Sequence, residues 1–315
     1  MSKAEKIILI VALAMLPVGI AVAILGFRFA GTKGWAVDLN TMQYADTSEI
    51  VEKTIDLEEF DDLEVRMDST DMTVTTGDSY KIYYRLPKNR EPELTQQGKK
   101  LTIKHPEQMN FMAFDFDSED EYIELTVPAN DKKYNVDFRA SSGDYTIDKV
   151  AVEGLIKLTS GELRLCDFDA KDLKVEISSG DVYLDKVNLD TLGAKQTSGT
   201  CRFKDAKITD LSLEASSGDY VLSNVRTDSI SCTMTSGEIT MQDVEVNRLD
   251  GKMTSGKFEM NLIGDAKDYD FNINMTSGDL ELNGMDLEHQ YRVENGNEKK
   301  IAIKATSGDI ELNFR

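Results

Sequence analysis

Cysteine, proline, histidine and tryptophan are all scarce in this 315-residue chain, with three, five, two and one copies respectively. Cys166, Cys201 and Cys232 are odd in number and show no C-x-x-C spacing. That excludes a disulfide framework and a cysteine-built zinc site. His105 and His289 stand far apart, without an H-x-x-x-H motif or a triad-like context. The usual materials of nucleophilic and metal catalysis are therefore thin. Basic charge is also short, with 36 Lys and Arg against 57 Asp and Glu and a formal net charge of -21. This deficit excludes nucleic acid as a partner, since phosphate binding rests on clustered Lys and Arg. It argues equally against a peripheral hold on anionic lipid.

One long hydrophobic run is present. Ile7 to Phe27 reads IILIVALAMLPVGIAVAILGF. At ~1.5 Å rise per residue such a run crosses the ~30 Å hydrocarbon core, and Pro17 and Gly19 are tolerated in that setting. The sequence predicts a short cytoplasmic tail (1–6), a transmembrane signal-anchor helix (7–27) and a polar linker without pattern (28–49). The alternative is a cleaved signal peptide ending near Ala21-Val22-Ala23, but the run continues through Ile24, Leu25 and Phe27, which suits an anchor. Lys3 and Lys6 before the run nearly balance Arg28 and Lys33 after it, so the brief amino-terminal tail carries the orientation. The expectation is a single-pass cell-membrane protein, N-terminus inside and the rest extracellular.

Internal repetition is the strongest feature. Ser-Gly recurs at Gly143, Gly161, Gly180, Gly199, Gly218, Gly237, Gly256, Gly278 and Gly308, in steps of 18, five of 19, then 22 and 30. With each glycine as zero, apolar residues dominate at minus seven, minus five and minus three, as in Leu173, Val175 and Ile177. They return at plus two and plus four (Val182, Leu184) and at plus seven and plus nine (Val187, Leu189). Alternation of period two on both sides of a glycine means two strands facing one core, followed by a short third run. Stacked copies bury what a single copy cannot. The fold class is all-β: a single-stranded parallel β-solenoid of ~19-residue rungs over 135–315, with an irregular all-β cap over 50–134. The glycine serves a tight corner.

Stacking turns sequence columns into spatial ones ~4.8 Å apart. The plus-one column holds Asp144, Glu162, Asp181, Asp219 and Glu238. A solvated acidic face is the plain reading, and calcium bridging between rungs is the sharper one, without the nonapeptide that marks a calcium β-roll. The minus-four column alternates sign in its early stretch (Arg139, Lys157, Glu176, Lys195, Glu214), and its cations are placed to offset the acids across the corner. At plus three, Arg164, Tyr183 and Arg202 make an aromatic-guanidinium strip suited to a sugar or peptide. Asn110–Phe116 reads as a loop in which Phe111, Phe114 and Phe116 either cover the cap or meet a partner. The insert Glu288–Lys300 reads as a partial cap near the carboxyl end. No cofactor is implied beyond that calcium alternative.

The recurring TSG[DE]-apolar-x-apolar units, ending in KATSGDIELNF, resemble the bacterial "putative adhesin" family of TSGD-repeat β-strand proteins, whose domain has no known function. The resemblance spans Ile50 to Arg315. It implies a parallel β-solenoid at the surface of a Gram-positive bacterium, in some members linked to envelope-stress operons, and it supplies no catalytic residue. Three functions follow as expectations. The first is a non-enzymatic surface interaction or structural protein meeting a wall polymer or an envelope or host protein. The second is an accessory to envelope-stress sensing. The third, disfavoured by the near-uniform rungs, is a polysaccharide-acting β-helix enzyme.

Overall fold

The computed structural model describes residues 34–38, 44–46, 49–105, 111–115 and 121–315. The predicted anchor Ile7–Phe27 and the residue Phe116 lie outside them. Among the described residues no helix is long and apolar enough to cross a membrane. The chain forms two units. One comprises Met1–Glu52, Arg85–Glu91 and Pro106–Glu121, the other Lys53–Tyr84, Pro92–His105 and Tyr122–Arg315.

The larger unit is the predicted stack of parallel strands. Glu162–Ser179 pairs with Asp181–Lys204 at Leu163↔Val182, Leu165↔Leu184, Leu173↔Leu192 and Val175↔Ala194. All eight side chains are buried. The alternation seen in the sequence therefore becomes continuous apolar columns, each adding buried area from the rung below.

Two corners shape each rung from Gly143 to Gly237. At the first, Gly143, Gly161, Gly180 and Gly199 have φ of 111°, 97°, 133° and 99°. A Cβ at Gly161, Gly180 or Gly199 would collide with the carbonyl oxygen of the preceding corner glycine. Conformation and space both demand glycine there. At the second corner, six residues on, Lys149, Asp167, Lys186, Asp205, Asn224 and Asp243 all take left-handed φ between 51° and 59°. The sequence reading missed this corner. Its signal was a column of Asp, Asn and Lys without a β-branched residue, and Asn and Asp tolerate that conformation best.

Both ends depart from chain order. Strands Asp62–Met67 and Asp71–Gly77 form a full rung, with Thr70 in the glycine position, so the stack begins well before residue 135. That rung lies between the Gly143 rung and an end rung built later in the chain from Lys100–Lys104 and Tyr122–Pro128. At the other end Lys299–Ala305 and Asp309–Phe314 do not terminate the stack. They insert between the Gly256 rung and the Gly278 rung (Tyr269–Met275, Leu280–Leu282). The predicted partial cap does close the stack, but on the Gly278 rung, where Gln290–Val293 pairs antiparallel with Tyr269–Met275. Repeat spacing marks which segments are rungs and is silent on which neighbours they choose.

Two local expectations are corrected in the smaller unit. The linker 28–49 contains strands Gly34–Asp38 and Tyr44–Asp46, paired antiparallel. Phe111–Asp115, expected as loop, is a strand on the other edge of Gly34–Asp38, with Phe114 opposite Trp35 and Phe111 opposite Asp38. The partners of these backbone groups lie more than seventy residues apart in the chain, beyond the reach of any local pattern.

Candidate interaction surface

The plus-one carboxylates act first on the backbone. Asp181 Oδ1 accepts the Thr200 N–H at 2.9 Å, Asp219 Oδ1 accepts that of Glu238 at 2.9 Å, and Asp71 Oδ1 accepts that of Asp144 at 2.8 Å. Asp309 Oδ1 does the same for Asp279 at 3.1 Å. In each case the carboxylate caps the N–H of the plus-one residue on the next rung. Elsewhere the corner glycine carbonyl takes that donor, as Gly143 does from Glu162 at 3.2 Å. Each corner thus satisfies a backbone donor that would otherwise be left unpaired. Among the described residues no group of three or more Asp, Glu, His or Cys is arranged to hold a metal ion.

The minus-four column pairs within its own face and does not reach the plus-one acids as expected. Lys157 Nζ meets Glu176 at 3.0 Å, Lys174 meets the same carboxylate at 2.6 Å, and Lys195 meets Glu214 at 2.9 Å. Hydrogen bonds from Lys174 and then Lys157 bring Glu176 down to about 2. Toward the amino end the ladder continues through Arg66 and Asp137 (2.5 Å) and Lys100 and Glu64 (2.7 Å).

The plus-three strip comes together as predicted. The guanidinium carbons of Arg164 and Arg202 lie 4.5 and 5.3 Å from the Tyr183 ring centroid. Arg202 also reaches the Tyr183 hydroxyl at 3.4 Å and Asp181 at 3.9 Å, while Arg164 pairs with Glu162. The ring is enclosed between two cations, so stacking on a sugar is blocked. What the strip presents outward is guanidinium N–H groups with the tyrosine hydroxyl between them.

Two features escaped the sequence reading. A polar groove of about 360 Å³ runs along the third run of the rungs, lined by Lys207, Thr209, Arg226, Asp228, Glu245 and Asn247 among others. Its signal lay in the plus-eight and plus-ten columns, which the apolar pattern left out. Gln196 occupies an inward minus-three position, 3% exposed, and donates to the Asp219 carbonyl at 2.9 Å. Its Oε1 has no partner. Gly218, beside it, is the one corner glycine without positive φ.

Cys201 and Cys232 fill core columns, and burial pushes their thiols up, Cys232 to about 12. Half-buried Cys166 is raised by burial and then by Asp148, Asp185 and Asp167. All three are poor nucleophiles.

Residues 60–313 match the Toastrack DUF4097 family. The chain belongs to that family. Among solved structures, the "putative lipid binding protein" of Parabacteroides distasonis aligns over 85% of this chain and 97% of its own, at 14% identity and a TM-score of 0.53. The "putative adhesin" of Bacteroides fragilis aligns over 84% and 97%, at 10% identity and a TM-score of 0.46. Identities this low speak to the fold alone. No curated protein matches the chain.

Proposed function

We propose that this Toastrack chain is a non-enzymatic interaction or structural protein of the cell envelope, displayed outside the membrane on an N-terminal anchor at Ile7–Phe27. The observation carrying the reading is the register of the stack, which lines up outward side chains in columns. In-register rungs hold guanidinium, carboxylate, amide and hydroxyl groups in straight columns at ~4.8 Å spacing, which suits an extended polar polymer running along the stack. A wall polymer or a protein strand meets that geometry better than a small molecule does. The Arg164–Tyr183–Arg202 strip supplies the directed donors, and Phe111, Phe114 and Phe116 are proposed as a second contact region.

The plus-one carboxylates are proposed as corner caps and not as calcium ligands. The name of the Parabacteroides distasonis protein brings a lipid reading. However, the groove described above is lined by polar side chains, and no observation here favours an acyl chain.

Two experiments test the proposal. Fractionation of expressing cells should leave the full chain in the membrane and resistant to carbonate, with its stack open to external protease. Recovery of a leaderless chain in the medium, or of a protected one in the cytoplasm, contradicts the display. Co-sedimentation with purified cell-wall sacculi should fall at least several-fold in R164A/R202A. Equal retention of wild type and variant removes the strip from the reading.

A further inference from the structure

The last rung sits where chain order would place the Gly278 rung. Lys299–Ala305 and Asp309–Phe314 pair on one side with the Gly256 rung, through Arg248–Met253 and Lys257–Leu262. On the other side they pair with Tyr269–Met275 and Leu280–Leu282. The remaining partners of the Gly278 rung are its own closing strands, Gln290–Val293 and Met285–Asp286. The last rung therefore carries the Gly278 rung on the stack as a keystone, helped by the Tyr269 hydroxyl, which donates to the Val246 carbonyl at 2.6 Å. The step from Gly256 to Gly278 is 22 residues, where the five before it are 19. Within that longer step the turn Ala266–Asp268 gives the connection the slack to pass over an inserted rung.

Either rung suits the same edge. Against Leu249 and Met260 the last rung sets Ile301 and Leu312, and the Gly278 rung offers Phe271 and Leu282 at the same offsets. Both have a left-handed corner glycine, φ 117° at Gly308 and 106° at Gly278. The outward columns distinguish the two. Insertion stands Lys300 beside Arg248, Lys304 beside Lys252, and Glu311 between Glu259 and Glu281. It also brings Asp309 next to Asp279. Like charges on adjacent strands destabilise the pairing. In its favour, Lys300 lies beside Asp270, Asp309 beside Lys257, and Glu311 is 3.8 Å from Lys257. Direct stacking of the Gly278 rung on the Gly256 rung would set Arg248 beside Asp270 and Lys257 beside Asp279. Glu259 beside Glu281 would be its one like pair in these columns.

We propose that the last rung is a removable keystone. The Gly278 rung has a second seat directly on the Gly256 rung, and taking it frees Lys299–Arg315 as an amphipathic strand. The inserted form is the ground state, because it buries Ile301, Ile303, Ile310 and Leu312 and gains a ladder on each side. A clip adds to it: Asp270 Oδ1 accepts the N–H groups of Asn295 at 2.9 Å and Asn297 at 3.2 Å, in the loop leading to the keystone. Like charges oppose it, and salt screens them. High salt seats the keystone, and its amides are then as protected as their neighbours. Low salt populates the second seat. The freed strand keeps its alternating pattern and can pair with an open strand edge, so the device changes a closed end of the stack into a strand donor.

Disulfide trapping in the full chain, held in detergent micelles, tests the two seats. Lys252 and Asn274 are exposed and flank Lys304 on its two sides. With the keystone seated they stand two strand spacings apart, ~9.6 Å, beyond the roughly 7 Å reach of a disulfide. In the second seat they are neighbours at ~4.8 Å. K252C/N274C should close under glutathione disulfide at least about fivefold faster at ~0.02 M salt than at ~0.5 M. K252C/K304C joins neighbours of the seated form and should close readily at high salt. Adding E311Q removes both like contacts at plus three and should slow K252C/N274C closure several-fold, leaving K252C/K304C unchanged. Peptide mapping separates these bridges from any made by Cys166. K252C/N274C that stays reduced at low salt while K252C/K304C closes overturns the proposal. So does closure indifferent to salt and to E311Q, and failure of K252C/K304C to close removes the inserted rung itself.

Discussion

At the residue scale the Ser-Gly corner carries the tightest constraint. Gly199 combines a φ of 99° with a Cβ position occupied by the Gly180 carbonyl oxygen. Gly199→Ala should cost more than about 3 kcal/mol, the strain of the backbone plus a steric clash that needs two rungs to part. Gly98→Ala is the control. Its φ is 58° with nothing within 4 Å, so the cost should stay near 1 kcal/mol. Urea unfolding of both variants separates the two contributions. Asp181→Ala should cost about 1 kcal/mol by leaving the Thr200 N–H without its acceptor, whereas Asp181→Asn keeps an oxygen there and should be nearly silent. The same pair of variants decides the calcium question. A melting-temperature rise in millimolar calcium that disappears in Asp181→Asn would make that column a metal site. An unchanged response supports the cap.

At the element scale the charged ladder and the inserted rung make different predictions. Glu176 is held near 2 by Lys174 and Lys157, below its ordinary 4.5. Its folded-state pKa is depressed, so its contribution is complete above about 4.5 and is lost as pH falls toward 2. Glu176→Gln should therefore lower the melting temperature slightly at neutral pH, with the difference from wild type shrinking between pH 5 and pH 2 and vanishing below that. Both lysine partners are more than half exposed, and solvent screening of these pairs keeps the effect small. The inserted rung predicts an unusual exchange pattern. Chain termini normally fray, but Ile301, Ile303, Ile310 and Leu312 are buried between two rungs. Their amides should exchange as slowly as that of Leu249, and the closing strand Gln290–Val293 should exchange first. Fast exchange at Ile303 would mean that the insertion is only marginally stable. Much of this scale was legible in the sequence. Leu173, Val175 and Ile177 announced their strand by alternation. Glu176 and Lys195 announced a ladder by their column. The antiparallel pairing of Trp35 with Phe114 could not be read, because neither segment is long enough to show a period and their partners lie far along the chain.

At the scale of the whole molecule, the excess of acid over base is spread along columns in which each carboxylate repeats at the strand spacing. Self-repulsion of that kind destabilises the compact state and is screened by salt. Raising sodium chloride from ~0.02 M to ~0.3 M should raise the melting temperature at protein concentrations too low for association. A fall over that range would show that the ion pairs outweigh the repulsion. The rung is dictated locally: its length, its glycine corner, its inward columns and the acidic excess of the chain. These follow from local sterics and from the period of a strand, both of which act within twenty residues. The tertiary structure decided which rung lies beside which, where the stack begins and what covers its ends. Those outcomes depend on hydrogen bonds between segments far apart in the chain, and any rung of this family presents the same backbone edge to any other.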